Sequence, residues 1–386
     1  MINSSTLVNK NLFEIDTRID ELVKKIELLN YVNPINIISE KEKFFNSKYL
    51  TDPCFSYPKR DFDKFNLHKE FFKLSITSIE DEVLKDFYEE LIYFYSGLIQ
   101  CIETIGKGKR FYYNSLRSFG TPTEQDVENA KFILHFETEN YNSEKFKPKY
   151  TADQSIPFFK AYSKNYNFSY EIKKSAKIGA IAMVSNSNKS LVLNSNHIFS
   201  DNEIKILTNH EIGVHMVTTM NGILHPLKIF SHGFPNNEET QEGLAVFSEY
   251  MSGNLTVKRL KELSYRVLAV DSLAKGYSFS KTFRLLHNTY DLDREEAFYI
   301  AVRAHRGGGF TKDYLYLSGL KKIYDYYQSG KDLNLLLTGK VSLEFSEAIN
   351  YMILNKYAIP AKHLTDSFFV NNNTNKTVDF ILQNLK

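Results

Sequence analysis

Residues 210–215 read His-Glu-Ile-Gly-Val-His, and a second segment reads Gln241-Glu242-Gly243-Leu244-Ala245. Two imidazoles and a carboxylate make the donor set of a hydrolytic metal site. A further carboxylate beside the first imidazole is the base that such a site uses. The candidate ligands are therefore His210, His215 and Glu242, with Glu211 as the group that takes a proton from water and passes it to a leaving amine. Zn2+ suits these nitrogen and oxygen donors, one ion per chain, with a fourth position open to water. His232 competes as third ligand.

The spacing is unusual. The common helical zinc motif sets its histidines four apart; here they are five apart. In a regular α-helix, residues four apart lie about 40° from each other around the axis, and residues five apart about 140°. The second arrangement cannot grip one ion. A π-type turn returns the two rings to one face, and Gly213, lacking a Cβ, tolerates such a distortion. The sequence predicts a π-bulge or local break at residues 210–215.

These residues need rigid elements beneath them. Ser200-Asp201-Asn202-Glu203 is a capping box that starts a helix over 201–217. Asn236 and Asn237 read as the cap of a helix over 238–252, with Glu242 in its first two turns and Glu239 and Glu249 near the same face. Glu238 and Glu239 are expected to be solvated. Glu242 differs, because residues 243–247 beside it are small and apolar, and a carboxylate there is costly unless paired or bound to metal. Two strands, Lys177 to Val184 and Ser190 to Asn194, flank a polar turn and predict a hairpin. The first strand is a candidate to line the cleft and pair with an extended substrate.

Other periodic segments predict helices over 13–30, 80–105, 123–136, 256–275, 279–289, 293–305, 311–328 and 344–356. Residues 31–60 and 137–168 read as irregular, and Asn371 to Lys386 as a weakly ordered tail. The expected fold is α+β, mostly helical, with a small sheet next to the metal-binding helix, which is the zincin (gluzincin) layout in outline. A helical region over 1–150 is expected to pack with a catalytic region over 151–366 as one unit, followed by a tail over 367–386.

Arg303, Arg306 and Lys312 surround Gly307-Gly308-Gly309. Arginine binds carboxylates with two parallel hydrogen bonds, so this cluster is a candidate to hold a free chain terminus. Tyr314 or Tyr316 would donate to a tetrahedral oxyanion. The plainer reading is a surface loop with solvated charges. His197, His225 and His305 read as structural.

Composition narrows the classes. The chain has 386 residues, 42% hydrophobic and 24% charged, with a net charge of +2. That balance implies neither nucleic acid nor an acidic membrane surface as partner. No apolar run approaches the ~20 residues of a membrane span. Cys54 and Cys101 are far apart and read as two buried free thiols, which favours a reducing compartment and a cytoplasmic location. The oligomeric state is left open.

The run from His210 to Gly253 closely resembles the bacterial QEGLA-motif proteins, relatives of the eukaryotic tubulin tyrosine carboxypeptidases. These are similar in carrying His-Glu-x-x-x-His followed by Glu-Gly-Leu-Ala on the next helix. The segment from Ala301 to Leu320 also looks like the family's Arg-Gly, Phe-Thr-Lys-Asp and Tyr-Leu stretch. The resemblance implies zinc ligands His210, His215 and Glu242, Glu211 as catalytic base, and metallocarboxypeptidase activity on the C-terminus of a peptide or protein. The chain shows no basic surface suited to tubulin, so the substrate does not carry over. The alternative is a non-catalytic regulatory or binding protein whose metal is structural or idle.

Overall fold

A computed structural model of the chain describes residues 4–24, 26–60, 63–139, 143–176 and 178–386. The described architecture is α+β and mostly helical, with one three-stranded sheet in the order β1 (Glu171–Ser175), β3 (Ser190–Asn194), β2 (Ala182–Ser185).

The first long helix, Ser4–Val23, buries Leu12, Ile15, Ile19 and Leu22 at helical spacing. It is anchored by Asp16, whose carboxylate accepts from the Tyr88 hydroxyl at 2.8 Å and from the backbone N–H of Lys228 at 2.6 Å. Asp81 caps the central helix, Glu82–Thr104, which carries Leu84, Phe87, Leu91, Tyr95 and Leu98 into the core. Thr123 caps Glu124–Leu134, as its sequence predicts. One apolar cluster runs from Leu12 through these helices and on to Leu385. A smaller one gathers Phe159, Leu191, Leu193, Phe199, Ile212 and Met216 beneath the sheet.

Three segments differ from expectation. Residues 31–60 are not wholly irregular: Ile37–Asn46 is a helix that buries Phe44 among Phe279, Phe283 and Phe298, and the prolines lie outside it. Within 137–168, Ala152–Tyr162 is a helix started by a Thr151/Gln154 capping box. The tail is also ordered, because Asn375 caps the helix Lys376–Asn384 and Val378, Ile381 and Leu382 are buried in the large cluster.

The sheet keeps the expected hairpin, since β2 pairs antiparallel with β3. The strand is shorter than 177–184, and Lys177 lies outside the described residues. The unexpected partner is β1, which pairs parallel on the other side of β3. Its sequence, Glu-Ile-Lys-Lys-Ser, is too polar to announce a strand. Cys101 is buried, but Cys54 is exposed and so is not the buried thiol expected. Among the described residues no helix is long and apolar enough to cross a membrane.

Candidate metal centre

The capping box at Ser200 forms as predicted, with Ser200 Oγ accepting from Glu203 N–H. The helix it starts is α-helical only through Leu207. Thr208–Met216 is then a π-helix, and the α-helix resumes at Val217–Leu224. The distortion expected at 210–215 is thus present and is longer, covering nine residues. Its effect is the required one. His210 and His215 face each other with ring centroids 5.0 Å apart.

Gly213 serves this segment by its size. A Cβ there would meet the Tyr162 hydroxyl at 3.2 Å. The Gly213 carbonyl accepts from the Thr365 hydroxyl at 2.6 Å, which satisfies a backbone group inside the distorted run.

Glu242 arrives on the helix Asn237–Met251. Asn236 precedes that helix in the left-handed conformation and makes no side-chain cap. The helix packs against Leu315–Gln328 through a glycine contact, since a Cβ on Gly243 would lie 2.4 Å from the Gly319 carbonyl carbon. The small residue after Glu242 therefore lets two backbones touch and sets the depth at which the carboxylate enters. Glu242 Oε2 lies 3.6 Å from His215 Nε2 and 3.9 Å from His210 Nε2. The three side chains offer donor atoms within 4.8 Å of one another, and among the described residues the group has no fourth member.

The protonation states suit metal binding. Burial pushes His215 down to about 4, so its ring is neutral at pH 7. Burial opposes charge on His210 too, but Glu249, Glu211 and Glu242 outweigh it and raise its pKa, so a metal cation would compete with a proton there. Burial alone would protonate Glu242; Lys312 and His215 reverse this and hold it ionised. Lys312 Nζ donates to Glu242 Oε1 at 2.8 Å, leaving Oε2 toward the imidazoles.

Glu249 is the partner whose role the sequence did not reveal. It lies two helical turns after Glu242, is fully buried, and sits 2.8 Å from His210 Nδ1. Burial works against its charge, but Arg259 outweighs that. An ionised carboxylate only accepts, so His210 donates from Nδ1 and presents Nε2. The +7 spacing was its signal.

Glu211 is buried beside the triad. Its carboxyl is pushed up to about 7 by burial, with His210 opposing and Glu242 adding to the rise. Oε2 accepts from the backbone N–H of Val184 at 3.1 Å. That N–H belongs to the free edge of β2. Ile181 C=O faces β3, accepting from Asn194 N–H, so by alternation Ala182 and Val184 point their backbone groups away from the sheet. Lys340 also escaped the sequence. Its buried Nζ donates to the His215 carbonyl at 2.8 Å, and burial pushes it down to about 7.

The structure does not bring every predicted residue to the centre. His232 pairs with Asp20 at 2.6 Å and is no part of the triad. Tyr314 donates to the Phe119 carbonyl at 2.8 Å, which takes its hydroxyl out of use as an oxyanion donor. Arg303 pairs with the buried Asp313, and Arg306 shares that carboxylate at 3.7 Å and donates to Asn33, so both guanidinium groups are held by the protein although one carboxylate balances only one of them. Tyr316 stays near, with its ring 5.4 Å from Lys312 Nζ. Glu238 is not solvated, since its Oε2 is buried without a partner, and Glu239 accepts from Ser318 and Lys322. His225 stacks on Phe230, His305 bonds Thr282 and His197 bonds Glu203, all structural contacts.

A sequence profile of the microtubule-associated tyrosine carboxypeptidases matches residues 42–386. The chain belongs to this family. Microtubule-associated tyrosine carboxypeptidase 1 of Rattus norvegicus is 24% identical over 350 residues, which cover 86% of this chain and 64% of that protein. The protein of the same name from Mus musculus is 25% identical over the same shares. The chain therefore spans less than two thirds of the length of these relatives. The triad, Glu211, the β2 edge and the Arg/Asp313 cluster all lie inside the region that the family profile covers.

Proposed function

We propose that the protein is a zinc-dependent metallopeptidase of zincin-like (gluzincin) build that removes a C-terminal residue from a peptide or protein. The observation that carries this reading is the donor set: His210, His215 and Glu242 within 4.8 Å of one another, and a second carboxylate, Glu211, beside them and held by a strand edge. A structural zinc site closes all four positions with protein ligands and has no use for a base. When bound there, zinc would polarise the scissile carbonyl and acidify water.

The chain's own residues supply the rest. An extended substrate lies along the β2 edge, where Ala182 offers its N–H and C=O and Val184 its C=O, the Val184 N–H being held by Glu211. Glu211 accepts a proton from the attacking water, whose oxygen bonds to the carbonyl carbon. The C–N bond then breaks and Glu211 returns the proton to the leaving amine. Burial raises the basicity of Glu211, which favours taking the proton from water. Tyr316, whose ring lies 5.4 Å from Lys312 Nζ, is our candidate to donate to the developing oxyanion. The relatives' name supports tyrosine as the residue removed. We place the reaction in the cytoplasm, in keeping with free Cys54 and Cys101.

Glu211→Gln tests this. Metal content by mass spectrometry should be unchanged, while cleavage of a peptide ending in tyrosine should fall by roughly 10²–10⁴-fold, the usual worth of a positioned general base. A variant that keeps its metal and cleaves at the native rate would remove Glu211 as the base and overturn this mechanism, whereas a native protein that binds metal and cleaves no peptide would leave the non-catalytic reading.

A further inference from the structure

The cationic cluster next to Glu242 contains a member that nothing on the protein neutralises. The helix Val257–Ala274 carries Arg259 and Arg266 seven residues apart, which places them on one face two turns from each other. Arg259 is committed to Glu249, the carboxylate that orients His210. Arg266 is not committed. Its guanidinium lies 4.9 Å over the ring of Tyr316 and, among the described residues, has no hydrogen-bond or ion-pair partner. Lys312 Nζ also lies near this ring, at 5.4 Å, and bridges to Glu242.

The charge balance is lopsided. Arg303 and Arg306 share Asp313, and Lys312 takes Glu242. Burial disfavours charge on Arg266 first, Arg303 and Arg259 add to this, and Asp313 opposes it. Glu238 adds little, because burial pushes its carboxyl toward the neutral form. The cluster thus holds more positive than negative charge, and of its cations Arg266 is the one with no polar partner among the described residues; it is partly open to solvent, as is Tyr316. A guanidinium resting on an aromatic face keeps its N–H edge free for a planar anion.

We propose that Arg266 holds the α-carboxylate of the substrate's C-terminal residue, in place of Arg303 and Arg306. This rests on the peptidase reading above and deepens it. The terminal carboxylate lies one Cα beyond the leaving nitrogen, so its anchor must stand close to the metal ligands but outside their shell. Arg266 meets that need, being joined to the triad only through Tyr316, Lys312 and Glu242. It makes the site specific for a free chain end, since an amidated end offers Arg266 no charge.

The test uses two short N-acetylated peptides of one sequence ending in tyrosine, one a free acid and one an amide. Binding to the full, zinc-loaded chain is followed by calorimetry in the Glu211→Gln background, and turnover is measured in the native background. The native site should prefer the acid. Arg266→Gln should weaken acid binding by about 10- to 100-fold, the scale of a lost charge-assisted pair. It should raise KM more than it lowers kcat and leave amide binding unchanged. Arg266→Lys should recover part of the preference and guards against loss of fold in the glutamine variant. An acid preference that survives in both variants overturns the assignment of Arg266 alone. Failure of the native site to bind or cleave either peptide overturns the peptidase reading, and this assignment with it.

Discussion

The two sides of the metal centre are built differently. Glu242 and Glu249 stand on a helix sunk in the large apolar cluster, with Leu244, Ala245, Val246 and Phe247 all fully buried. The π-helix on the other side divides its apolar residues: Val214 enters the large cluster, while Ile212 and Met216 enter the small one beneath the sheet. The first side is held by backbone-to-backbone contact at Gly243 and Gly319. The second is held by hydroxyl groups, with Thr365 on the Gly213 carbonyl and Tyr162 on Asn209 at 3.0 Å. A rigid side fixes Glu242, and a side with softer supports carries the distorted helix and Glu211. Close packing resists small insertions that a flexible side chain absorbs.

The largest expected effect comes from Gly243→Ala. The new methyl would press on the Gly319 backbone, which has no rotamer to change. Overpacking costs about 1–3 kcal/mol, and a contact with backbone puts this change at the upper end. The unfolding midpoint in urea should drop accordingly, and metal affinity should fall with it because Glu242 is the adjacent residue. A stable Gly243→Ala protein with native metal affinity would remove the distinction between the two sides.

Glu249→Gln sharpens the same comparison with a change that leaves packing alone. Glutamine keeps an acceptor near His210 Nδ1 but loses the charge shared with Arg259. Partners of this type are worth about 10- to 100-fold in metal affinity. Competition with a chelator should show that loss. Arg259 keeps Glu262 at 3.2 Å, so the cost in stability should be smaller than for Gly243→Ala.

How much of this could be read from the residues depended on range. His210, His215, Glu211 and the need for a π-type turn follow from spacing along one helix, and the Ser200 and Thr123 caps from residues three apart. Two misses were legible and passed over: Thr151 and Gln154 are a capping box, and Val378, Ile381 and Leu382 repeat at helical spacing behind Asn375. Other misses had no local signal. β1 is a strand only because β3 lies alongside. Arg303 and Arg306 look free in sequence until Asp313 is folded between them, and Arg266 gains its meaning from Tyr316, fifty residues away. A side chain's type predicts what it can bind, and only the fold decides whether another residue has already bound it.

Gly213→Ala should have the smallest effect, although Gly213 lies between His210 and His215. The added methyl meets the end of Tyr162 at 3.2 Å, and a tyrosine side chain can move by tenths of an ångström. The Thr365 bond uses the Gly213 carbonyl and survives the change. Alanine also loses less backbone entropy than glycine in a helix, a gain of up to about 1 kcal/mol. These terms oppose each other, so stability should stay within about 1 kcal/mol of native and metal affinity should hardly change. Thermal unfolding and chelator competition measured beside Gly243→Ala decide the matter. Should Gly213→Ala cost as much as Gly243→Ala, the π-helix is held as rigidly as the Glu242 helix, and the contrast between the two sides is lost.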